Sequence, residues 1–593
     1  MSHISENSFR LKRENIQITD LDGLDGHQHT DATVSLFAFP FGRTDCDAGQ
    51  SSDGYKKISE FCSTLSSNSV VCILTTPPDA ARILPFLENC LQFKLWIAIK
   101  VSSETYPQQH GTLPESHAAL LVLTRYQSSL RHTKTRVQYT YCAACGKTTK
   151  DYGGKKHTYH TEGTLLSDVW RDCVYSPFEN IDPIISRLQD LFGLEEYSVL
   201  RVFDLRSCPV FAVNENRQQA AIIAQTNEAQ NKTQLPTSTL LNEDCLTALA
   251  TIPDNSIDFC FADPPYNLKK KYSHWTDAME LTEYFAWCDQ WLGELVRVLK
   301  PGGTLAVLNI PLWAVRHYQY LCSQPNLSFE NWIVWDAMSF PVRLIMPAHY
   351  TILCFSKGQP RSLPIPNVAN ADTTALNDSF CSRDTCIARR RKVGISDRIG
   401  LSDMWYDVHR LKHNSQRVDH PCQLPPLLMR RLYTLFTRPG EHVLDCFNGA
   451  GTSTLVAQQM ERQYIGIELS PEYHALTQQR HKQLSRGEDP FGKTATVPKA
   501  KNSRVERLPK QHYSVSKKIL QLDVKRIAQQ IGRIPSREEV RNMSIHNIEY
   551  FDNYFSSWGE VCAAARTTGM TELQAGREEQ TVQLSLDFDT VLN

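Results

Sequence analysis

What the 593-residue sequence lacks excludes several classes of protein at the outset. Its net charge is −1, from 63 Lys and Arg against 64 Asp and Glu, so there is no overall basic field and any contact with a polyanion must use local patches. No apolar run approaches the roughly 20 residues that cross a bilayer. The opening Met1-Ser-His-Ile-Ser-Glu-Asn7 has no signal-peptide core, so a cytoplasmic protein without membrane contact is expected. The 18 cysteines are dispersed without framework spacing, which argues for a reducing compartment and against a disulfide scaffold. With 41% apolar residues and a length beyond one core, the chain is expected to form several globular domains.

The stretch Phe259-Cys-Phe-Ala-Asp-Pro-Pro-Tyr-Asn267 reads as a buried strand that delivers a rigid polar tip. Proline fixes φ and lacks an N–H, so Asp263, Pro264, Pro265 and Tyr266 cannot extend a helix or a central strand. A carboxylate and a proline carbonyl one residue apart can accept both hydrogens of one amino group while the adjacent ring stacks on a planar base. An exocyclic amine whose lone pair is delocalised into a nucleobase is a poor nucleophile until two such acceptors pull on it. The plainer reading is a proline-terminated strand end with a capping Asp.

Around this tip the pattern alternates. Leu240 to Leu249 reads as a strand ending at Asp244 and a short helix, Trp287 to Leu299 as a helix, and Thr304 to Leu308 as the next strand. This predicts an α/β fold, a doubly wound and mostly parallel sheet. A third landmark, His442-Val-Leu-Asp-Cys-Phe-Asn-Gly-Ala-Gly-Thr-Ser453, reads as strand, Gly-rich turn and helix start, with Gly449 and Gly451 letting the backbone approach a ligand. The turn lacks GxGxxG spacing and no Lys follows it, so it fits a phosphate poorly. Tyr464-Ile-Gly-Ile-Glu468 then ends a strand on an acid, where an α/β nucleoside site holds ribose hydroxyls. Together these predict a pocket for a nucleoside cofactor without phosphates, and S-adenosylmethionine fits.

Asp263-Pro-Pro-Tyr266 and Asp445-Cys-Phe-Asn-Gly-Ala-Gly-Thr452 resemble the catalytic and cofactor motifs of the amino-group DNA methyltransferases, and their order resembles the beta class. His420-Pro-Cys-Gln-Leu-Pro425 matches a further cofactor-side motif of that family, and Asp244 matches its acid before the catalytic strand. The resemblance covers about 238–485. It implies that Asp263, Pro264, Pro265 and Tyr266 bind and activate a flipped base in double-stranded DNA. It implies that Asp445, Phe447, Gly449, Gly451, Thr452 and Glu468 bind S-adenosylmethionine, with Asp244, His420 and Gln423 near it. The Asp-Pro-Pro-Tyr form leans toward adenine N6, with cytosine N4 as the alternative. Pro421-Cys422-Gln423 is also the tripeptide of cytosine-C5 enzymes, but their motif order and ring-carbon chemistry have no use for Asp-Pro-Pro-Tyr. A rival from another class is an idle DNA-binding protein on the same scaffold. A homodimer and a cognate restriction endonuclease stay open.

The remaining chain suggests a second, weakened copy over 1–215. Asn68-Ser-Val-Val-Cys-Ile-Leu-Thr-Thr-Pro-Pro-Asp79 parallels Asn255 to Tyr266, with Thr76 and Asp79 in place of the Asp and Tyr, and Leu165 to Asp172 parallels Gly400 to Asp407. The expectation is a degenerate methyltransferase-like α/β half whose catalytic tip is lost. Within it, Cys142, Cys145, His157 and His160 could supply four ligands to a structural zinc. Residues 216–237 read as a polar linker. Residues 357–400, with Arg389 to Lys392, read as a target-recognition segment in which Cys381 and Cys386 have no His pair to complete a metal site. A basic linker over 486–513 leads to a helical module over 514–572 that resembles the small repeats associated with homing endonucleases and implies DNA binding. Residues 573–593 read as a disordered tail.

Overall fold

A computed structural model describes residues 16–19, 33–41, 48–102, 111–125, 130–149, 161–195, 198–211, 238–268, 278–337, 345, 348–365, 380–381, 383–395, 400–408, 423–491, 515–555, 558–562 and 582–584. The first half contains β1 (Ile16–Thr19), β2 (Val34–Ala38), α1 (Ala48–Thr64), β3 (Val70–Thr75), α2 (Pro77–Leu87), β4 (Leu91–Val101) and β5 (His117–Arg125). An insertion with the short β6 (Leu130–His132), β7 (Arg136–Val137) and β8 (Thr164–Leu165) precedes β9 (Val169–Tyr175), α3 (Asp182–Phe192) and β10 (Leu200–Asp204). The sheet order is β1-β10-β2-β3-β5-β4-β9.

The second half contains β11 (Thr239–Leu241), α4 (Cys245–Ala250), β12 (Ile257–Ala262), α5 (Leu281–Val298), β13 (Leu299–Asn309), α6 (Pro311–Ser323), β14 (Leu327–Asp336) and β15 (His349–Lys357). After an insertion carrying α7 (Asp384–Lys392) come β16 (Met404–Trp405), α8 (Pro426–Phe436), β17 (His442–Asp445), α9 (Thr452–Gln459), β18 (Gln463–Ile467) and α10 (Pro471–Ser485). The order is β11-β18-β17-β12-β13-β15-β14-β16. Only β15 runs antiparallel to its neighbours, so the expected doubly wound, mostly parallel sheet is present. Its central strands are buried over Ile257–Ala262 and Thr304–Asn309 and mostly apolar there, as expected of a sheet covered on both faces.

The two sheets repeat one topology. β2-β3-β5-β4-β9 matches β12-β13-β15-β14-β16 in order and sense, with β5 antiparallel as β15 is. Both β4 and β14 even carry a register shift in pairing with that strand, after Phe93 and after Phe329. Register corrects one sequence expectation. Thr75 faces Ala119 just as Asn309 faces Thr351, so Thr75-Thr-Pro-Pro-Asp79 corresponds to Asn309-Ile-Pro-Leu-Trp313 at the β13–α6 junction. Its prolines open α2, and Thr76 caps that helix by accepting from the Asp79 N–H at 3.3 Å while its hydroxyl donates to the Asp79 carboxylate at 2.8 Å. The place of Asp263-Pro-Pro-Tyr266 is instead taken by Ala38-Phe39-Pro40-Phe41, because Ile73 faces Phe37 as Val307 faces Ala262. The match of Leu165–Asp172 with Gly400–Asp407 holds: β9 and β16 are counterparts, and the Trp170 and Trp405 indoles donate to Ser167 and Ser402 carbonyls at 3.0 and 2.7 Å.

The halves face each other across paired surfaces. Trp96 stacks on Trp332 with centroids 5.0 Å apart and planes inclined by 2°. α2 lies along α6, where Arg82 donates to the Tyr318 hydroxyl at 3.3 Å. His117 sits 2.9 Å from Asp403, and its counterpart His349 sits 3.0 Å from Asp168. One apolar core runs through both halves, from Phe37 and Ile73 to Leu305 and Leu444.

The last module has α11 (Lys517–Ile531), ended by left-handed Gly532, and α12 (Arg537–Met543), opened by a capping box of Ser536 and Glu539. The aromatic stretch that follows forms two helices, α13 (Ile548–Tyr554) and α14 (Trp558–Val561), because Phe555 turns extended at φ −121° and ψ 136°. The tail is corrected over Val582–Leu584, which forms β19 antiparallel to β6; a short edge strand leaves backbone groups that a further strand satisfies. Among the described residues no helix is long and apolar enough to cross a membrane.

Candidate active site

Parallel pairing brings four acids to one edge of the second sheet. Phe261 faces Asp445, Asp445 faces Gly466, and Leu241 faces Ile467, so Asp263, Asp445, Glu468 and Asp244 stand at or just beyond the carboxyl ends of β12, β17, β18 and β11. Ligands of open α/β sheets sit at this edge.

The tip is braced on every side. The Tyr266 hydroxyl donates to Asp263 at 2.7 Å and so orients that carboxylate. The Tyr284 hydroxyl donates to the Pro265 carbonyl at 2.8 Å, and the Trp313 indole donates to the Tyr266 carbonyl at 2.8 Å. Asn267, at φ 55°, turns the chain away and exchanges bonds of 2.9 and 2.7 Å with Met279. The Pro264 carbonyl takes no hydrogen bond from any described residue. Tyr266 is buried with Tyr350 5.9 Å away, and Trp335 lies 5.4 Å beyond that ring.

The Gly-rich turn is held as firmly. Gly449 and Gly451 have φ of 51° and 78°, and a Cβ on Gly451 would lie 2.4 Å from Thr477 Cγ2. Thr477 donates to the Gly449 carbonyl at 3.1 Å, and the Tyr433 hydroxyl on α8 to the Ser453 carbonyl at 3.1 Å. Asp445 accepts from the Phe447 N–H at 2.9 Å and from the Ser453 hydroxyl. Burial, reinforced by the charges of Asp263 and Glu468, pushes the Asp445 carboxyl up to about 7. Glu468 accepts from the Gly449 N–H at 2.7 Å, which ties β18 to the turn.

Asp244 caps α4, accepting from Leu246 and Thr247 at 3.0 and 3.3 Å, so its first task is structural. Gln423 stands just before α8, and no distance ties it to the turn. His420 lies outside the described residues. An aromatic wall escaped the sequence reading: Phe447 meets Trp291 edge-on at 5.2 Å and Trp287 at 5.7 Å. The signal was the four-residue spacing of the two tryptophans on one face of α5. Tyr284, on the same helix, was missed likewise.

The expected zinc set is redrawn. His157 and His160 lie outside the described residues. Cys142 and Cys145 gather instead with Cys381 and Cys386, whose exclusion from a metal site is thereby corrected; all four sulfurs lie within 4.8 Å of one another. Arg389 and Arg390 are engaged internally, donating to the Ala144 and Cys381 carbonyls at 3.1 and 2.8 Å.

Strand order, acids at the carboxyl edge and a Gly-rich turn define a class I methyltransferase fold. Comparison with known proteins found the following similarities. A DNA methylase family model for the N6 and N4 amino-group enzymes matches residues 257–479. Type II methyltransferase M.HpaI of Haemophilus parainfluenzae is 30% identical over 243 residues, 41% of this chain and 73% of that protein. M.BamHI of Bacillus amyloliquefaciens is 35% identical over 236 residues, 39% of this chain, and the match spans only 54% of that protein. Among solved structures, a DNA modification methylase of Thermus thermophilus is 22% identical with a TM-score of 0.28, covering 41% of this chain and 94% of that one. The chain belongs to the N6/N4 DNA methylase family.

Proposed function

We propose that this chain is an S-adenosylmethionine-dependent methyltransferase acting on an exocyclic amine of double-stranded DNA, adenine N6 first, in a restriction-modification setting. The observation that carries the reading is the braced tip: Asp263 is oriented by Tyr266, and the Pro264 carbonyl beside it takes no hydrogen bond from the described residues. Two acceptors of this kind match the two hydrogens of one amine. The residues present suit the cofactor: left-handed Gly449 and Gly451 shape a turn whose backbone can approach a ligand, and Phe447, backed by Trp287 and the buried Trp291, offers an apolar surface for a planar base. Bound there, S-adenosylmethionine supplies an electrophilic methyl group.

The chain's own residues do the rest. The target base leaves the duplex stack to reach the tip, because its amine is otherwise buried. Asp263 and the Pro264 carbonyl accept the two N–H groups and localise the nitrogen lone pair, which attacks directly without a covalent enzyme intermediate. As acceptor of one of the two N–H groups, Asp263 would take up the proton the nitrogen sheds while the bond to the methyl group forms and the sulfonium's bond to that group breaks. The first half cannot do the same chemistry: its tip is Ala38-Phe39-Pro40-Phe41, and no glycine follows Asp204, which Arg206 clamps at 2.8 and 2.7 Å. Its role is to support the second half and hold DNA, together with the C-terminal helices.

The family description spans both amines, so the base is identified by experiment. The chain is incubated with labelled cofactor and mixed-sequence DNA, and the product nucleosides are resolved by mass spectrometry. N6-methyladenine is expected. N4-methylcytosine replaces the base assignment, and an unlabelled digest refutes methyl transfer.

A further inference from the structure

The four cysteines come from matching insertions of the two halves. Cys142 and Cys145 lie between β5 and β9, whereas Cys381 and Cys386 lie between β15 and β16. Cys142 Sγ is 3.9 Å from Cys386 Sγ, and Cys145 Sγ is 3.9 Å from Cys381 Sγ. A tetrahedral zinc with bonds of about 2.3 Å sets its sulfurs roughly 3.8 Å apart. A disulfide needs about 2.05 Å.

The backbone around the first pair has the form of a metal knuckle. The Gly146 N–H donates to the Cys142 carbonyl at 2.8 Å, and the Cys142 N–H donates to the Lys147 carbonyl at 2.8 Å. Gly146 adopts φ 63°, which curls the loop so that both thiols face one side. In the second pair, Cys386 is buried on α7 and Cys381 is buried just ahead of that helix. Two arginines flank the cluster: Arg383 lies 3.7 Å from Cys381 Sγ and donates to the Thr148 carbonyl, and Arg389 donates to the Ala144 carbonyl at 3.1 Å. A tetrathiolate around a divalent cation carries two net negative charges, and flanking guanidinium groups compensate them.

We propose that Cys142, Cys145, Cys381 and Cys386 bind one Zn²⁺ as a tetrathiolate that fastens the second half's insertion to the first half. Each thiol gives up its proton on binding, the four sulfurs donate to the metal, and no redox change occurs. The site is structural, since all four positions are filled by protein. It also forms a platform beneath the C-terminal module: Gly146 abuts Ser516, the N-cap of α11, and Lys518 lies 5.5 Å over the Tyr139 ring. Zinc binding itself is independent of the methyl-transfer reading. Its expected effect on DNA does rest on that reading, because α7 lies within the segment proposed to recognise DNA.

The full chain, purified without added chelator, is analysed by inductively coupled plasma mass spectrometry, and one zinc per chain is expected. Exchange with Co²⁺ should give the visible bands of tetrahedral cobalt and an intense thiolate-to-cobalt charge-transfer band. Cys142→Ser and Cys381→Ser should each lose the metal, while the double variant His157→Ala, His160→Ala keeps it. Cys386→His, which retains four donors, keeps a folded chain with an altered cobalt spectrum. A metal-free chain that takes up no Co²⁺, a chain with the cysteines oxidised in pairs, or metal lost from the His variant and kept by Cys381→Ser overturns the proposal. In the metal-free chain, S-adenosylhomocysteine affinity should stay within twofold while DNA affinity falls at least tenfold. Unchanged DNA affinity with one zinc present refutes the recognition role and leaves the metal site standing.

Discussion

Replacing Gly451 by alanine isolates the contribution of the Gly-rich turn. Two costs arise there. A non-glycine residue in the left-handed region pays roughly 1–2 kcal/mol, and Gly451 has φ 78°. The new Cβ would also lie 2.4, 2.7 and 3.1 Å from the methyl, hydroxyl and Cβ of Thr477, and overpacking of this kind costs about 1–3 kcal/mol. Gly487 supplies the control: its φ is 79°, but a Cβ there would meet nothing within 4 Å. Gly487→Ala therefore pays the first cost alone. The clash strains the turn against which the cofactor is proposed to lie, and whatever part of that cost displaces the turn is lost from binding, at most about 1–3 kcal/mol or roughly 5- to 150-fold in affinity. Isothermal titration of both variants with S-adenosylmethionine measures it directly, with thermal melts to track the shared conformational cost. Equal affinities in the two variants would refute the placement of the cofactor against this turn.

Asp263→Ala should keep cofactor affinity and lower methyl transfer by about 10²–10³-fold, the scale for removing one pre-oriented polar group from a transition state; single-turnover assays with cofactor binding in parallel check it. Tyr266→Phe removes the 2.7 Å bond that orients Asp263, a charge-assisted bond of about 1.5–3 kcal/mol, and should slow transfer more than it weakens DNA binding. For Asp445, held up at about 7 by burial, the folded state binds the proton more tightly than the unfolded chain, so its contribution to stability falls as pH rises from the ordinary carboxylate range to about 7. The cationic S-adenosylmethionine should correspondingly bind more tightly above pH 7 than below it, while the neutral-sulfur S-adenosylhomocysteine varies less. Asp445→Asn should erase that difference, and a difference that survives in the variant refutes the assignment. A fragment beginning at residue 238 exposes Trp332, which is only 3% accessible in the full chain, and should self-associate in gel filtration unless the first half is supplied in trans.

Legibility in the sequence followed covalent locality. Asp-Pro-Pro-Tyr and the Gly-rich turn were readable because proline and glycine impose backbone shape wherever they stand, and the apolar runs Val70–Leu74, Phe93–Lys100 and Ala118–Thr124 read as strands and lie within β3, β4 and β5. The duplication was half readable. Leu-Ser-Asp recurs with the same tryptophan bond in both halves, but Thr75 to Asp79 matched the wrong strand end, since paired prolines after an apolar strand serve a helix start as well as a braced turn such as Asp263–Tyr266. Strand register decides that point, and register is a long-range property. The cysteine cluster was not readable for the same reason: Cys145 and Cys381 are 236 positions apart, and only the common topology places their two insertions side by side. The aromatic wall lay in plain spacing on α5, but spacing alone does not separate a ligand wall from core, and Trp291 is core.

The reciprocal pairs His117 with Asp403 and His349 with Asp168 constrain how the two halves can diverge. Each aspartate belongs to one half and serves the other, so a change at either position is felt across the seam, and both partners must alter together to restore the contact. The tip residues answer only to their own half. A fused pair built this way can vary its two tips independently, as Ala38–Phe41 and Asp263–Tyr266 differ, yet cannot loosen its handshake one hand at a time.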